Sequence, residues 1–200
     1  MTSTARRALL LSGGLDSSAL AFVERPDVCV TIDYGQLASA GELRASRAVC
    51  EMLGLRHDVV RVDCSALGSG DLAGRPALDI APVPEWWPFR NQLIVTLAAI
   101  HLATNNAAEI LVGAVSTDGA HADGRSEFFA ALNGLLAIQE GAFCVRTPAL
   151  AFTTASFVQA HNVPRELLGW AHSCHTGEWA CGECRGCAKY SGVMRQLFGA

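Results

Sequence analysis

The chain has 200 residues, of which 50% are hydrophobic and 17% are charged, and its formal net charge is −4. This length and composition predict one folded domain with a buried core and exclude a disordered chain. A slightly acidic chain gives no electrostatic reason to expect nucleic acid or an acidic membrane as a partner. Lys189 is the single lysine, which excludes a Walker-type nucleotide loop, because that loop requires a lysine after its last glycine.

The longest apolar segments near the N-terminus and in the middle of the chain cover residues 8–11 and 93–103. Both are too short for the core of a signal peptide or for a membrane span. We therefore expect a cytoplasmic protein without a membrane partner. In that reducing compartment, the eight cysteines favour metal binding over disulfide bonds.

Short apolar segments alternate with segments of helical periodicity along the chain. In chain order we predict strand 8–11, helix 19–24, strand 28–32, helix 41–53, strand 57–62, a long loop over 65–88, helix 91–106, strand 109–115, helix 128–140, strand 145–147 and helix 154–161. This alternation predicts an α/β fold with a doubly wound, mostly parallel sheet. The composition changes near Ala171, so we expect one domain over residues 1–170 and a small cysteine-rich tail over residues 171–200.

The turn between the first predicted strand and the first predicted helix is rich in glycine and serine. It consists of Ser12, Gly13, Gly14, Leu15, Asp16, Ser17 and Ser18. Two glycines allow the backbone to bend sharply and to approach an anion, and the following helix directs its first N–H groups at the same place. The turn therefore predicts a phosphate-binding loop. A plain glycine turn with Asp16 or Ser17 as the helix cap is the alternative.

Four of the cysteines lie close together near the C-terminus with the spacing C-x6-C-x2-C-x2-C. They are Cys174, Cys181, Cys184 and Cys187. Four thiolates suit a closed tetrahedral zinc site, in which the metal holds the tail together and performs no chemistry. An iron–sulfur cluster and free thiols are the alternatives. His175 follows the first cysteine and is expected to face the cleft or solvent.

The turn at residues 12–18 resembles the PP-loop of the ATP pyrophosphatases, which split ATP between its α- and β-phosphates. Together with the cysteine tail, nearly the whole chain resembles the QueC family of 7-cyano-7-deazaguanine synthases. Further matches lie between the two motifs, at residues 33–36, 88–91, 113, 118 and 123–128. The resemblance implies the adenine nucleotide alpha hydrolase fold.

The resemblance also implies an ATP-dependent ligase that forms AMP and pyrophosphate. Such an enzyme adenylates the carboxylate of 7-carboxy-7-deazaguanine, forms an amide with ammonia and dehydrates the amide to the nitrile. ATP, Mg²⁺ and Zn²⁺ are the implied cofactors, and we expect a homodimer. Two alternatives stay open. One is a QueC-like enzyme of antiviral defence that joins the acid to a protein amine, and the other is a zinc-stabilised nucleotide-binding module without turnover.

The resemblance assigns roles to the matched residues. The resemblance implies that the loop at residues 12–18 binds ATP together with Asp33 and Tyr34. The implied catalytic residues are Asp16, Ser17, Arg90 and Asp118. Binding of the substrate falls to Gln36, Arg90, Asn91, Asp118, Asp123, Arg125 and Glu127. The alternatives are a helix cap for Asp16, a solvated side chain for Arg90 and a solvent-facing loop for the acidic residues.

The chain departs from the family pattern at several positions on the substrate side. Leu37-Ala38 stands where the family has Arg-His, and Gly124 stands where it has cysteine. A lysine that the family has near residues 153–154 is missing, and His175 replaces a tyrosine. The phosphate loop and the four cysteines are retained, so these departures favour a changed amine acceptor over a lost adenylation step.

Overall fold

The computed structural model describes residues 6–103 and 107–199. Its strands are β1 (Arg6–Leu10), β2 (Val28–Asp33), β3 (His57–Arg61), β4 (Ala107–Val112) and β5 (Cys144–Arg146). Its helices are α1 (Leu15–Glu24), α2 (Ser39–Leu53), α3 (Arg90–Leu102), α4 (Ser126–Ala137), α5 (Thr154–Ala160), α6 (Arg165–Leu168) and α7 (Arg185–Phe198). Short 3₁₀ helices lie at Ser65–Leu67, Asp71–Ala73, Ser116–Ala120 and Ala122–Gly124.

The five strands form one sheet in the order β3-β2-β1-β4-β5, and every described pair of neighbouring strands is parallel. The predicted doubly wound α/β fold is therefore confirmed. The chain first adds strands on one side of β1 and then returns to add β4 on the other side. Such a reversal opens a crevice at the carboxyl ends of the two central strands, where α/β proteins bind their ligands.

Each face of the sheet is covered by its own hydrophobic layer, because successive side chains of a strand point to opposite faces. Ala8 and Leu10 of β1 pack in the layer that includes buried residues of α3 and α4. Leu9 packs in the opposite layer, which receives side chains from α1, α2, α5, α6 and α7. Within the described residues, no helix is long and apolar enough to cross a membrane.

Several boundaries differ from the predicted ones. Helix α1 begins at Leu15 rather than at residue 19, because Gly14 adopts an extended conformation as its N-cap. Strand β4 ends at Val112, and the backbone N–H of Val115 bonds to the Asp118 side chain instead of extending the strand. The predicted end of the third helix, at residue 106, lies outside the described residues.

Helix α7 (Arg185–Phe198) is absent from the elements predicted from the sequence, which end with the helix at residues 154–161. Tyr190, Val193, Met194 and Leu197 recur at helical spacing and pack against the layer that contains α1 and α5. This spacing of apolar residues is typical of an amphipathic helix and is visible in the sequence. The boundary between a domain at residues 1–170 and a tail at residues 171–200 stays a prediction, although α7 contributes to the core of the domain.

Helices α1 and α2 both end in the left-handed conformation, and their end residues differ in type. Arg25 closes α1 with φ 47°, whereas Gly54 closes α2 with φ 64° and has free space around its Cα. A side chain destabilises this conformation, and glycine does not. We expect Arg25→Gly to raise the free energy of unfolding by about 0.5–1 kcal/mol.

Gly54→Ala is the matched control, and we expect it to lower the free energy of unfolding by about 1 kcal/mol. Urea titration followed by circular dichroism measures both changes. A loss of stability in Arg25→Gly would show that the arginine side chain contributes contacts that outweigh the backbone penalty.

Candidate active site

The turn at residues 12–18 that is predicted to bind phosphate, here called the phosphate loop, lies between β1 and α1 and has no room for a side chain at Gly13. Gly13 has φ +72°, and a Cβ there would lie 2.7 Å from the Glu42 carbonyl oxygen and 2.8 Å from the Ala45 Cβ. Gly14 caps α1 without a side-chain hydrogen bond. The N–H groups in the first turn of α1 therefore remain available to an anion, which the helix dipole also favours.

The beginning of α1 also touches the end of β4 at the centre of the sheet. A Cβ on Gly113 would lie 3.0 Å from the backbone N and Cα of Ser17, so the absence of a side chain allows this approach. The hydroxyls of Ser12 and Ser17 lie 3.1 Å apart and offer further donors. The loop is thus fixed at the point where the strand order reverses.

A cavity of about 700 Å³ opens in front of this loop. Its volume is typical of small-molecule sites. Many of the predicted site residues line it, namely Ser12, Gly14, Leu15, Asp16, Ser17, Tyr34, Arg90, Asn91 and Asp118. The structure therefore brings together residues from the loop, from the end of β2, from the start of α3 and from the segment after β4.

One end of the cavity holds an ammonium group between two carboxylates. Lys189 Nζ lies 2.8 Å from Asp16 Oδ2 and 3.5 Å from Asp118 Oδ1. Thr154 donates a hydrogen bond of 2.6 Å to the other oxygen of Asp16. The family lysine near residues 153–154 is absent, and the ammonium in this cavity comes from α7. Sequence reasoning missed this arrangement because 173 positions separate the two partners.

The Arg90 guanidinium lines the cavity, and the charges of acidic groups near it favour its charged form. Burial lowers the pKa of Arg90, but Tyr34, Asp123 and Glu42 outweigh that effect and raise it. Phe89 precedes it with φ 53° and caps α3. A permanently charged, planar guanidinium in a cavity can bind a phosphate or a carboxylate through two hydrogen bonds.

Glu42 also lines the cavity and was not predicted from the sequence. Burial raises the pKa of Glu42 to about 7, although the Gln36 amide and the Arg90 charge act in the opposite direction. A carboxyl group that titrates near neutral pH inside a cavity is suited to proton transfer. The sequence around Glu42 does not identify it as a cavity residue, because a solvent-exposed glutamate on a helix has neighbours of the same kind.

A second ion pair lines the cavity near the tail. The carboxylate of Glu85 is nearly buried and lies 3.3 Å from the Arg185 guanidinium at the start of α7. His121 is adjacent, and burial lowers the pKa of its imidazole, with the Arg90 charge acting in the same direction. These groups offer hydrogen-bond donors and acceptors to a ligand in the cavity.

Other predicted residues lie outside the lining of the cavity. Gln36 is buried and accepts a hydrogen bond from the Tyr34 N–H, while its amide donates to Glu42. Asp33 accepts a hydrogen bond from the Gly35 N–H. Ser18 is fully buried. Asp123 accepts a hydrogen bond from the Asn91 N–H and so caps α3, which positions the residue next to Arg90.

Arg125 and Glu127 are both exposed. Arg125 donates a hydrogen bond to the Gly119 carbonyl, and Glu127 accepts one from the neighbouring Ser126 hydroxyl. Their contacts are local, and they support the 3₁₀ segment and the start of α4. Their assignment to the substrate stays a prediction.

The four predicted metal ligands form a compact cluster next to the cavity. The sulfur atoms of Cys174, Cys181, Cys184 and Cys187 all lie within 4.8 Å of one another. The distances from Cys181 to Cys187 and from Cys184 to Cys174 are 3.9 Å and 4.0 Å. Tetrahedral zinc with Zn–S bonds of about 2.3 Å places sulfur atoms about 3.8 Å apart. The cluster could therefore hold a single zinc ion.

Backbone N–H groups surround these sulfur atoms. Cys181 Sγ accepts from the N–H of Glu183 and Cys184, and Cys184 Sγ accepts from the N–H of His175 and Cys187. Such donors stabilise thiolates, which are the form that binds metal. Cys184 is also the N-cap of α7, so the cluster fixes the start of the helix that carries Lys189.

The cysteine tail contacts the phosphate loop directly. The backbone N–H of His172 donates a hydrogen bond of 2.8 Å to the Gly13 carbonyl, and the His172 ring packs over Gly41 of α2. The loop is thus held on one side by α2 and on another by the segment that leads to the cysteines.

Gly13→Ala tests the fit of the loop. The new Cβ would occupy space already taken by the Glu42 carbonyl and Ala45, in a backbone conformation that alanine disfavours. We expect this variant to lose about 2–5 kcal/mol of free energy of unfolding. Gly54→Ala provides the comparison, because Gly54 also has a positive φ but a Cβ there would meet no atom within 4 Å. Equal losses in the two variants, measured by urea titration, would contradict the proposed close packing.

The chain matches a known family over most of its length. Residues 6–194 match the family described as "Queuosine biosynthesis protein QueC". Proteins called 7-cyano-7-deazaguanine synthase are similar: one from Thermoplasma volcanium is 31% identical, over 96% of this chain and 88% of the relative. One from Anaeromyxobacter dehalogenans is 34% identical, over 94% of this chain and 90% of the relative.

A solved structure shares the fold at much lower sequence identity. The NMN synthetase from Francisella tularensis superposes with a TM-score of 0.51 and 14% identity, over 98% of this chain and 78% of the other. This likeness concerns the fold alone. The match over residues 6–194 and the synthase relatives at about a third identity show that this chain belongs to the QueC family.

Proposed function

We propose that the chain catalyses ATP-dependent conversion of 7-carboxy-7-deazaguanine into 7-cyano-7-deazaguanine, with ammonia as the nitrogen donor. Family membership makes the chain an ATP-dependent enzyme of the ligase type. The observation that carries the proposal is the phosphate loop, which opens onto a cavity lined by Arg90 and Lys189. An enzyme that transfers AMP to an acid needs such a combination of anion site and cations.

The chemistry begins with a carboxylate, which is a poor electrophile at neutral pH. A carboxylate oxygen attacks the α-phosphorus of ATP, the bond to the bridging oxygen breaks, and pyrophosphate leaves with the electron pair. The N–H groups of the loop and of the first turn of α1 would hold the departing pyrophosphate. Arg90 would hold the acid or the α-phosphate in line for the attack.

The acyl adenylate then has AMP as its leaving group. Ammonia attacks the carbonyl carbon, AMP departs, and a proton is lost to give the amide. Glu42 would be a suitable proton acceptor, because its carboxyl group titrates near neutral pH inside the cavity. In a second round, the amide oxygen attacks the α-phosphorus of another ATP and pyrophosphate leaves. The adenylated amide then loses two protons from its nitrogen and AMP, which carries the former amide oxygen, and the nitrile forms.

Residues of the cavity and the tail suit the two implied metals. Asp16 and Asp118 would hold Mg²⁺ beside the phosphates through carboxylate lone pairs that their contacts with the Lys189 ammonium leave free. Mg²⁺ supplies charge neutralisation on the phosphates when it is bound. The four cysteines would hold Zn²⁺ as a closed structural site, which leaves no open position for a substrate.

Ammonia is favoured over a protein amine as the acceptor. The relatives that span the chain are called synthases of 7-cyano-7-deazaguanine, and a nitrile product requires a nitrogen atom without a carbon substituent. The homodimer stays a prediction.

Asp16→Asn tests the adenylation site. The carboxylate of Asp16 anchors Thr154 and Lys189 at the start of α1, so its neutralisation should lower the rate of pyrophosphate release by about 100-fold or more. The assay contains ATP, 7-carboxy-7-deazaguanine and ¹⁵N-ammonia, with mass spectrometry of the products. Asp79→Asn is the control, because Asp79 is exposed and lies outside the cavity.

The proposed function requires the wild type to form AMP, pyrophosphate and a ¹⁵N-labelled nitrile. Pyrophosphate release without label in the small molecules would exclude ammonia as the acceptor. If the Asp16→Asn and Asp79→Asn variants release pyrophosphate equally fast, the assignment of adenylation to the loop at residues 12–18 is wrong.

Cys181→Ala tests the metal cluster. We expect the wild type to carry one zinc ion per chain, and we expect the variant to lose it and to melt several degrees lower. Cys144→Ser is the control, because Cys144 is an exposed cysteine of β5 outside the cluster. Elemental analysis and thermal unfolding measure the two effects. Equal zinc content in both variants would contradict the assignment.

A further inference from the structure

The ammonium of Lys189 is placed beside the phosphate loop by the last helix of the chain. It contacts Asp16, the second residue of α1, at 2.8 Å and Asp118 at 3.5 Å, and 36% of the Lys189 side chain is exposed. Lys189 also lines the cavity. The N–H groups that would bind phosphate belong to the same turn of α1 as Asp16. A phosphate bound there would thus lie close to the Lys189 ammonium.

We infer that Lys189 is a catalytic residue, whose ammonium binds the phosphates of ATP and stabilises the negative charge that develops as pyrophosphate leaves. This inference rests on the proposed function, and it adds a residue from outside the phosphate loop. When the bond between the α-phosphorus and the bridging oxygen breaks, that oxygen receives the electron pair. Lys189 donates a hydrogen bond to the departing group, and no proton is transferred.

Chemistry favours a charged role for Lys189 over a covalent one. Lys189 Nζ lies 2.8 Å from Asp16 Oδ2 and 3.5 Å from Asp118 Oδ1, so two carboxylates hold its side chain as an ion-paired cation. An ammonium in such an ion pair has no lone pair for a Schiff base or for attack on an adenylate. An ammonium has three donors, and two carboxylates leave one for a phosphate.

The position of Lys189 is fixed by its surroundings in α7. The helix begins at the N-cap Cys184, one of the four clustered cysteines. Tyr190, the next residue, packs in the hydrophobic layer on α1 and α5. The helix therefore has its sulfur cluster at one end and its apolar side on the core, and these contacts direct Lys189 to Asp16.

Lys189→Met and Lys189→Arg test the inference by activity. We expect Lys189→Met to lower kcat for pyrophosphate release by about 100-fold or more, and Lys189→Arg to retain part of the rate because it keeps the charge. Arg195→Met is the matched control: it removes a cation from the exposed side of the same helix. A rate for Lys189→Met that equals the rate for Arg195→Met would overturn the inference.

A second measurement separates a catalytic role from a purely structural one. Lys189 is the single lysine, so an amine-specific acetylating reagent reports on it and on the N-terminal amine alone. Saturating α,β-methylene-ATP should slow acetylation of Lys189 at least tenfold and leave the N-terminal amine unaffected. Peptide mass spectrometry measures both rates in the full chain.

The two measurements also distinguish this inference from the proposed function. If the wild type releases pyrophosphate and α,β-methylene-ATP leaves the acetylation of Lys189 unchanged, the inference is wrong and the proposed function stands. If the wild type neither binds the analogue nor releases pyrophosphate, both are wrong. If Lys189→Met only lowers the melting temperature and keeps the wild-type kcat, Lys189 is a structural counter-ion of Asp16.

Discussion

The site depends on one steric constraint, the close packing of the turn after β1 between α2 and β4. Gly13 lies against the backbone of α2, and Gly113 lies against the first turn of α1. A side chain at either position would push α1 away from the centre of the sheet. Because both contacts involve backbone atoms, rotation of a side chain cannot relieve them. The orientation of the first N–H groups of α1 follows from this packing.

The fold and the two motifs could be predicted because their signals are local. Apolar segments bounded by turns predict the strands, and the observed strand order has the reversal at β1 that a doubly wound sheet requires. The glycine turn and the spacing of Cys174, Cys181, Cys184 and Cys187 each lie within a short segment. Local backbone geometry determines what such segments can bind, so their position in the sequence carries the information.

The other residues that line the cavity could not be predicted from local sequence patterns. Lys189, Glu42 and Glu85 reach the cavity through packing between distant elements, and nothing adjacent to them in the chain distinguishes them from surface residues. Conversely, Gln36 and Asp123 lie next to recognisable motifs but use their side chains to fix the backbone, at β2 and at the start of α3. Proximity to a motif in the sequence does not determine where a side chain points.

The pairing of Asp16 with Lys189 has a consequence for biosynthesis. The two residues are 173 positions apart, and they belong to the first and the last helix. During translation, the phosphate loop leaves the ribosome long before the ammonium that faces it. Until then Asp16 lacks Lys189, its cationic partner among the described residues, and the sheet can assemble around an incomplete centre. Completion of the centre therefore waits until α7 has been synthesised and has packed on the sheet.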